Sequence, residues 1–134
     1  MAPLERMTLM SEYKLIKPSI MIDLKKNRIR IHQNTLYAIG NPDYVLLLVN
    51  PDECTLAILK STRSDPKAHP ITKKSHTNKK SFELYSRSLT KSLREICIHW
   101  QDNQLYRLYG EIIFNEGIAQ FHMDDSILIS GAKS

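Results

Sequence analysis

Four cations fall within six positions, Lys25, Lys26, Arg28 and Arg30, on and beside a segment in which Ile29 and Ile31 alternate with the arginines. Alternation of this kind is the period-2 signature of a strand, so Arg28 and Arg30 are expected on one sheet face and the isoleucines on the other. Two neighbouring guanidiniums suit phosphate oxygens or guanine edges; the plainer alternative is a solvated outer face beside a basic turn. Arg87, Lys91 and Arg94 stand at i, i+4 and i+7, one cationic stripe if the segment is helical. A third group lies between Ser61 and Lys80, where Arg63, Lys67, Lys73, Lys74, Lys79 and Lys80 meet a single acid, Asp65. The chain has 19 Lys/Arg and 14 Asp/Glu, so outside that segment 13 basic residues balance 13 acidic ones. The formal net charge of +5 therefore belongs wholly to a cationic strap. Such a strap serves either for contact with a polyanion or as a solvated linker.

Enzymatic signatures are absent. No phosphate-binding glycine loop, dinucleotide fingerprint, zinc-protease helix or nucleophile elbow is present in a chain with four glycines. His32, His69, His76, His99 and His122 have no ligand partners at a recognised spacing, and Asp124-Asp125 reads as a turn. Cys54 and Cys97 show no metal-ligand or redox spacing and read as two reduced thiols. No cofactor, metal or small-molecule substrate is expected. The longest apolar runs, such as Val45 to Val49, are far shorter than the roughly 20 residues of a membrane helix. With no leader-like N-terminus, the chain reads as cytoplasmic.

The positioning elements follow from periodicity. At 134 residues and 42% hydrophobic content, a single domain with a real core is expected. Residues 1–17 lack a clean period and fit either a helix or an arm docked on a partner. Ile20 and Ile22 form one strand, and Lys25-Lys26-Asn27 turns into the Ile29/Ile31 strand. Asn34 is placed as the cap of a short helix bearing Leu36 and Ile39, with Gly40 past its end and Pro42 barring continuation. Tyr44 to Val49 and Leu56 to Ile58 form a hairpin around Asn50-Pro51-Asp52, and the near-continuous apolar first arm predicts burial on both faces. Composition predicts disorder for 61–80.

Beyond the strap the order returns. Phe82 and Leu84 alternate, Ser86 precedes a helix with Leu89, Leu93, Ile96 and Cys97 on one face, and Leu105–Phe114 with Ile118–Met123 flank an Asn115-Glu116-Gly117 turn. Ile127 to Ile129 adds a last strand. Trp100 either stacks on a base or closes the core under Ile96. Ile29, Ile31 and Leu36 match Phe82, Leu84 and Leu89 at a constant offset of 53. The fold class is thus α+β, mostly β: two strand–helix–hairpin units, 18–60 and 81–130, packed as a pseudo-symmetric barrel or sandwich and joined by the linker 61–80.

Residues 25–59 carry a resemblance. Asn27-Arg28-Ile29-Arg30-Ile31-His32, then Leu36, Ile39-Gly40, then the Tyr44–Val49 and Leu56–Ile58 strands resemble the swapped-hairpin DNA-binding module of AbrB-like and MraZ-like transcriptional regulators. That module has a Gly-Arg-Ile-x-Ile-Pro strand, a short helix ending in Leu-Gly and a following hairpin, and MraZ-like chains carry two copies. Here Asn27 stands for the Gly, His32 for the Pro, and the helix lacks the family's Arg. Element order, with the cationic stripe on the second helix, is also similar to one domain of the ring-shaped sliding clamps.

The resemblance implies a non-enzymatic, homodimeric DNA-binding regulator. Arg28 and Arg30, assisted by Lys25 and Lys26, would make the primary contacts. Lys73, Lys74, Lys79, Lys80, Arg87, Lys91 and Arg94 would add phosphate affinity. The competing expectation is a clamp-like interaction or assembly module with no sequence-specific DNA recognition.

Overall fold

The structure of the protein, a computed structural model, describes residues 17–71 and 81–129. Strand β1 (Ser19–Asp23) and strand β2 (Arg28–His32) form the first hairpin, with Ile22 opposite Ile29 and Ile20 opposite Ile31. All four isoleucines are buried, so the alternation read from sequence is the alternation of the pleat. The turn is closed by Asp23, whose Oδ1 accepts the backbone N–H of Lys25 and of Lys26, both at 3.0 Å. Asn27 completes it at φ 54°, the left-handed region that Asn tolerates better than most residues.

Helix α1 (Gln33–Ala38) follows without a loop. Its cap is His32, not Asn34: the His32 Nδ1 accepts from the Asn34 N–H at 3.1 Å, which puts Asn34 inside the first turn. The strand ends at His32 as expected, but the helix starts directly after it, and the imidazole supplies the acceptor usually given by Ser, Thr, Asp or Asn. Gly40 sits past the helix end at φ 100°, as expected. Strands β3 (Tyr44–Asn50) and β4 (Thr55–Lys60) form the second hairpin.

Residues 61–71 of the strap are ordered, which corrects the expectation of disorder there; residues 72–80 lie outside the described residues. Asp65 accepts from the Ser61 hydroxyl at 3.1 Å and from the Lys67 N–H at 2.9 Å, and β5 (His69–Pro70) pairs with β3. Local Asx-type bonds and one edge pairing supply what the composition lacks in apolar surface. The Lys73, Lys74, Lys79 and Lys80 assignments lie outside the described residues, as does the segment 1–16.

The second half holds β6 (Ser81–Tyr85), helix α2 (Arg87–Ile96), β7 (Leu105–Ile113), β8 (Ile118–His122), a 3-10 turn (Met123–Asp125) and β9 (Ile127–Leu128). Ser86 caps α2 by accepting from the Leu89 N–H at 3.2 Å, and Leu93 and Cys97 bury the face read from the sequence. Asp124 and Asp125 lie in the 3-10 turn.

The molecule is mostly β: one antiparallel sheet in the order β5-β3-β4-β8-β7-β1-β2-β6, with β9 also on β7, curled into a half-barrel. Strand β7 joins its two halves. Residues 105–109 pair with β1 and residues 110–113 with β8. The concave face carries the core: Ile20, Ile22, Ile29, Ile31, Val45, Leu56, Ile58, Leu108 and Phe121 from strands, Leu36 and Leu93 from helices. Trp100 is buried there, its ring stacked on Tyr106 at 4.6 Å and its Nε1–H donating to Ser126 Oγ at 2.8 Å. It closes the core and has no free face for a base.

Strand β3 departs from expectation. Its inward residue Val45 is fully buried, yet Leu48 on the outer face is 48% exposed. Among the described residues the apolar run is therefore covered on one side.

At Gly110, where β7 passes between the half-sheets, an added Cβ would overlap the Gln120 carbonyl oxygen and lie 2.6 Å from the Phe121 ring. The backbone there is not in the left-handed region, so overlap alone decides the residue. Gly110→Ala is expected to cost about 3 kcal/mol through forced separation of β7 from β8. A urea titration followed by circular dichroism checks this; an unchanged midpoint would mean that the strands tolerate the methyl group.

Candidate nucleic-acid interface

The outer face of the β1–β2–β6 half-sheet presents Asp23, Arg28, Arg30, Glu83 and Tyr85, with Arg30 opposite Glu83 and Arg28 opposite Asp23. Arg28 and Arg30 do share this face, as the alternation implied. Their head groups are engaged internally. Arg28 Nη2 donates to Asp23 Oδ2 at 3.0 Å and Nη1 to Glu83 Oε2 at 3.4 Å, and Arg30 Nη2 donates to the same Glu83 oxygen at 3.0 Å. Burial would lower the Arg28 pKa, but the Tyr85 hydroxyl, Glu83 and Asp23 outweigh it and hold the group above the ordinary arginine range. It is a charged strut at any working pH.

This corrects the role assigned to the two arginines as primary phosphate contacts. Arg28 is only 15% exposed at its side chain, and its N–H donors already serve two carboxylates. The Nε atoms of Arg28 and Arg30 are buried with no hydrogen-bond partner. The depression beside them, lined by Met21, Asp23, Arg28, Arg30 and Leu105, has no room for a water-sized molecule. This face is a cross-strand ion network and not a ligand cradle. The sequence signal for it existed: the alternation that turns Arg30 outward also turns Glu83 outward.

The remaining cations gather elsewhere, through a contact that sequence reasoning missed. Asn27 ties the β1–β2 turn to α2. Its carbonyl oxygen accepts from the Ser86 N–H at 3.0 Å, and its side-chain Oδ1 accepts from the Thr90 hydroxyl at 2.9 Å. Thr90 is fully buried against it. The exposed Lys25 and Lys26 are thereby set beside the first turn of α2, which carries the exposed Arg87 and, one turn on, the exposed Lys91. No acid occupies that first turn, so the positive end of the helix dipole adds to the same field. Arg94, the third residue of the stripe, donates from Nε to Asp102 Oδ1 at 2.9 Å and is half withdrawn from it. Arg63 and Lys67 are exposed on the other side of the chain order, in the ordered part of the strap.

Two thiols approach one another at the far end of α2. Cys97 is buried with its Sγ 3.7 Å from Met123 Sδ, and the Met123 N–H donates to the Cys54 carbonyl at 2.9 Å. Burial first, then Cys54 and Asp124, push the Cys97 thiol up to about 12. Cys54 is raised as well, by burial and then by Asp124. Among the described residues, no group of three His, Cys, Asp or Glu could hold a metal ion, and no helix is long and apolar enough to cross a membrane.

Comparison of the chain with protein-family models, with curated proteins and with solved structures finds no match.

Glu83→Gln removes the carboxylate that Arg28 and Arg30 share and leaves Asp23 paired with Arg28 alone. The expected loss is about 1–2 kcal/mol, between the value of an exposed pair and that of a buried one, read from the denaturation midpoint. A shift within error would reduce the network to surface decoration.

Because the folded state holds the Cys97 proton to about 12 while an ordinary thiol releases it near 9, stability is full below that lower value and falls as pH rises between the two. Cys97→Ala should flatten that part of the pH profile. In native protein at pH 8, Cys97 should be alkylated by iodoacetamide at least about 100-fold more slowly than in urea, as mass spectrometry can follow.

Proposed function

We propose that the protein is a non-enzymatic DNA-binding protein, acting as a homodimeric regulator, and that it grips the phosphate backbone with Lys25, Lys26, Arg87 and Lys91. The observation that carries this reading is the Asn27 tether, which places two pairs of cations distant in sequence beside one helix N-terminus. Four cations with little competing acid favour backbone contact, which supplies most nonspecific affinity for nucleic acid. Arg28 contributes indirectly: paired with Asp23, it holds the turn that displays the lysines, and Arg30 joins the same network through Glu83.

The AbrB-like and MraZ-like resemblance belongs to the same reading, and the strand pairing supports it. Exchanging β1 with β5, β2 with β6, β3 with β7 and β4 with β8 carries the pairs β1–β7, β2–β6, β3–β4 and β4–β8 into pairs that are also made. A pseudo-twofold barrel of two strand–helix–hairpin units has this reciprocity; β1–β2 and β7–β9 are the pairs without a counterpart among the described residues. A second reading, an assembly module that binds protein alone, draws on the exposed outer side of β3.

Fluorescence anisotropy with labelled random duplex DNA tests the proposal. Log affinity should fall against log salt with a slope of roughly −3.6, about −0.9 for each of four phosphates. Lys25→Ala with Lys26→Ala, or Arg87→Ala with Lys91→Ala, should each shorten the slope by about 2, whereas Arg28→Lys should leave it unchanged. Absence of binding at low salt ends the DNA reading and leaves the assembly module.

A further inference from the structure

Beside the cation cluster stands an aromatic ring left outside the core. Phe82 and Leu84 pack inward from β6, so Tyr85, the last residue of the strand, turns outward with Glu83. It is 62% exposed, the most exposed tyrosine among the described residues. Strand β6 ends the sheet order, and among the described residues no strand pairs with its other edge, so one side of the ring is open. The hydroxyl donates to Glu83 Oε1 at 3.4 Å, which steadies the polar end of the side chain and leaves the ring to solvent. A tyrosine held in this way offers a flat contact surface at the cost of ordering only two side-chain torsions.

Its neighbours are the cations of the proposed grip. Tyr85 pairs with Arg28 across the β2–β6 ladder, and the next residue, Ser86, is the one whose N–H reaches the Asn27 carbonyl. Lys26 lies two residues before Arg28 and Arg87 two residues after Tyr85, so each step spans no more than about 7 Å between Cα atoms. The ring therefore stands at the same rim of the sheet as the Lys25-Lys26 turn and the start of α2. Asp23 and Glu83 beside it are matched by Arg28 and Arg30, so the surface around the ring carries no excess of negative charge.

We propose that this site takes single-stranded nucleic acid, with an unpaired base stacked on Tyr85 while the flanking phosphates lie on Lys25, Lys26, Arg87 and Lys91. The inference deepens the DNA-binding reading above and rests on it. Two considerations select an unpaired strand. The arginines best suited to read base edges in a groove are withdrawn into the ion network, which leaves phosphate contact and one aromatic face. In a duplex the base faces are covered by their neighbours, so a ring at the rim of a sheet finds a partner only on a base that is out of the stack. Every base has such a face, and binding of this kind tolerates changes of sequence.

Fluorescence anisotropy at low salt with two labelled strands of equal length and charge, an oligothymidine of about 12 nucleotides and its abasic counterpart, is the test. The wild type should bind the oligothymidine about 5- to 150-fold more tightly, the range that one stacked base supplies. Tyr85→Ala should bring the two strands to equal affinity, whereas Tyr85→Phe, which keeps the ring and loses only the hydroxyl, should retain the preference. Should Tyr85→Ala fail to fold, the Tyr85 ring protons of the wild type give the same answer: NMR should show them moving upfield with the oligothymidine and not with the abasic strand. Three results overturn this inference and leave the DNA reading standing: equal affinity of the wild type for both strands, binding to duplex alone, or a preference that survives in Tyr85→Ala, as a merely structural role for the ring would give. Absence of binding to both strands and to duplex overturns the two together.

Discussion

Strand β7 must serve two half-sheets at once, and Gly110 is where it does so. The first half of β7 aligns β1, through β1 the Ile29/Ile31 strand, and through that strand β6. The second half aligns β8 and the β3–β4 hairpin. The close approach of the Gln120 carbonyl and the Phe121 ring at Gly110 lets the two halves share one core, with Phe121 packed inward where a side chain on residue 110 would have stood. If the strands separated there, the helices would lose the concave surface they close.

The consequence for surface chemistry is a sorting of charge. Once the isoleucines face inward, the arginines between them face outward beside whatever the neighbouring strands supply. Those strands supply Asp23 and Glu83. Partly buried guanidiniums are most stable when hydrogen-bonded to carboxylates, so the cations most suggestive in sequence become structural. Lysines on a turn have no such neighbours. They stay exposed, and the hydrogen bonds of Asn27 decide which helix they accompany.

The same sheet geometry leaves an apolar face over β3, β4 and β8. An antiparallel sheet with one solvated side ordinarily reads as a clean alternation of apolar and polar residues, whereas Tyr44 to Val49 does not alternate. That apolar face and the β1–β2 turn lie on different half-sheets.

The sequence alone determined what depends on near neighbours. The pleat of Ile29 and Ile31, the α2 face of Leu93 and Cys97, the Ser86 cap, the Gly40 terminus and the hairpins around residues 51–54 and 114–117 are set by periodicity and turn chemistry within a few residues. The mostly β class follows from them. What only the tertiary structure decided involves groups far apart in the chain. Glu83 bridges Arg28 and Arg30 from more than fifty residues away, and Thr90 reaches Asn27 across 63. The two-residue strand β5 ties residues 69–70 of the strap to β3, and Gly110 is required by a contact with β8. Local sequence fixes which way a side chain points; strand order fixes what it meets, and a pairwise charge or a close backbone approach leaves no period by which to read it beforehand.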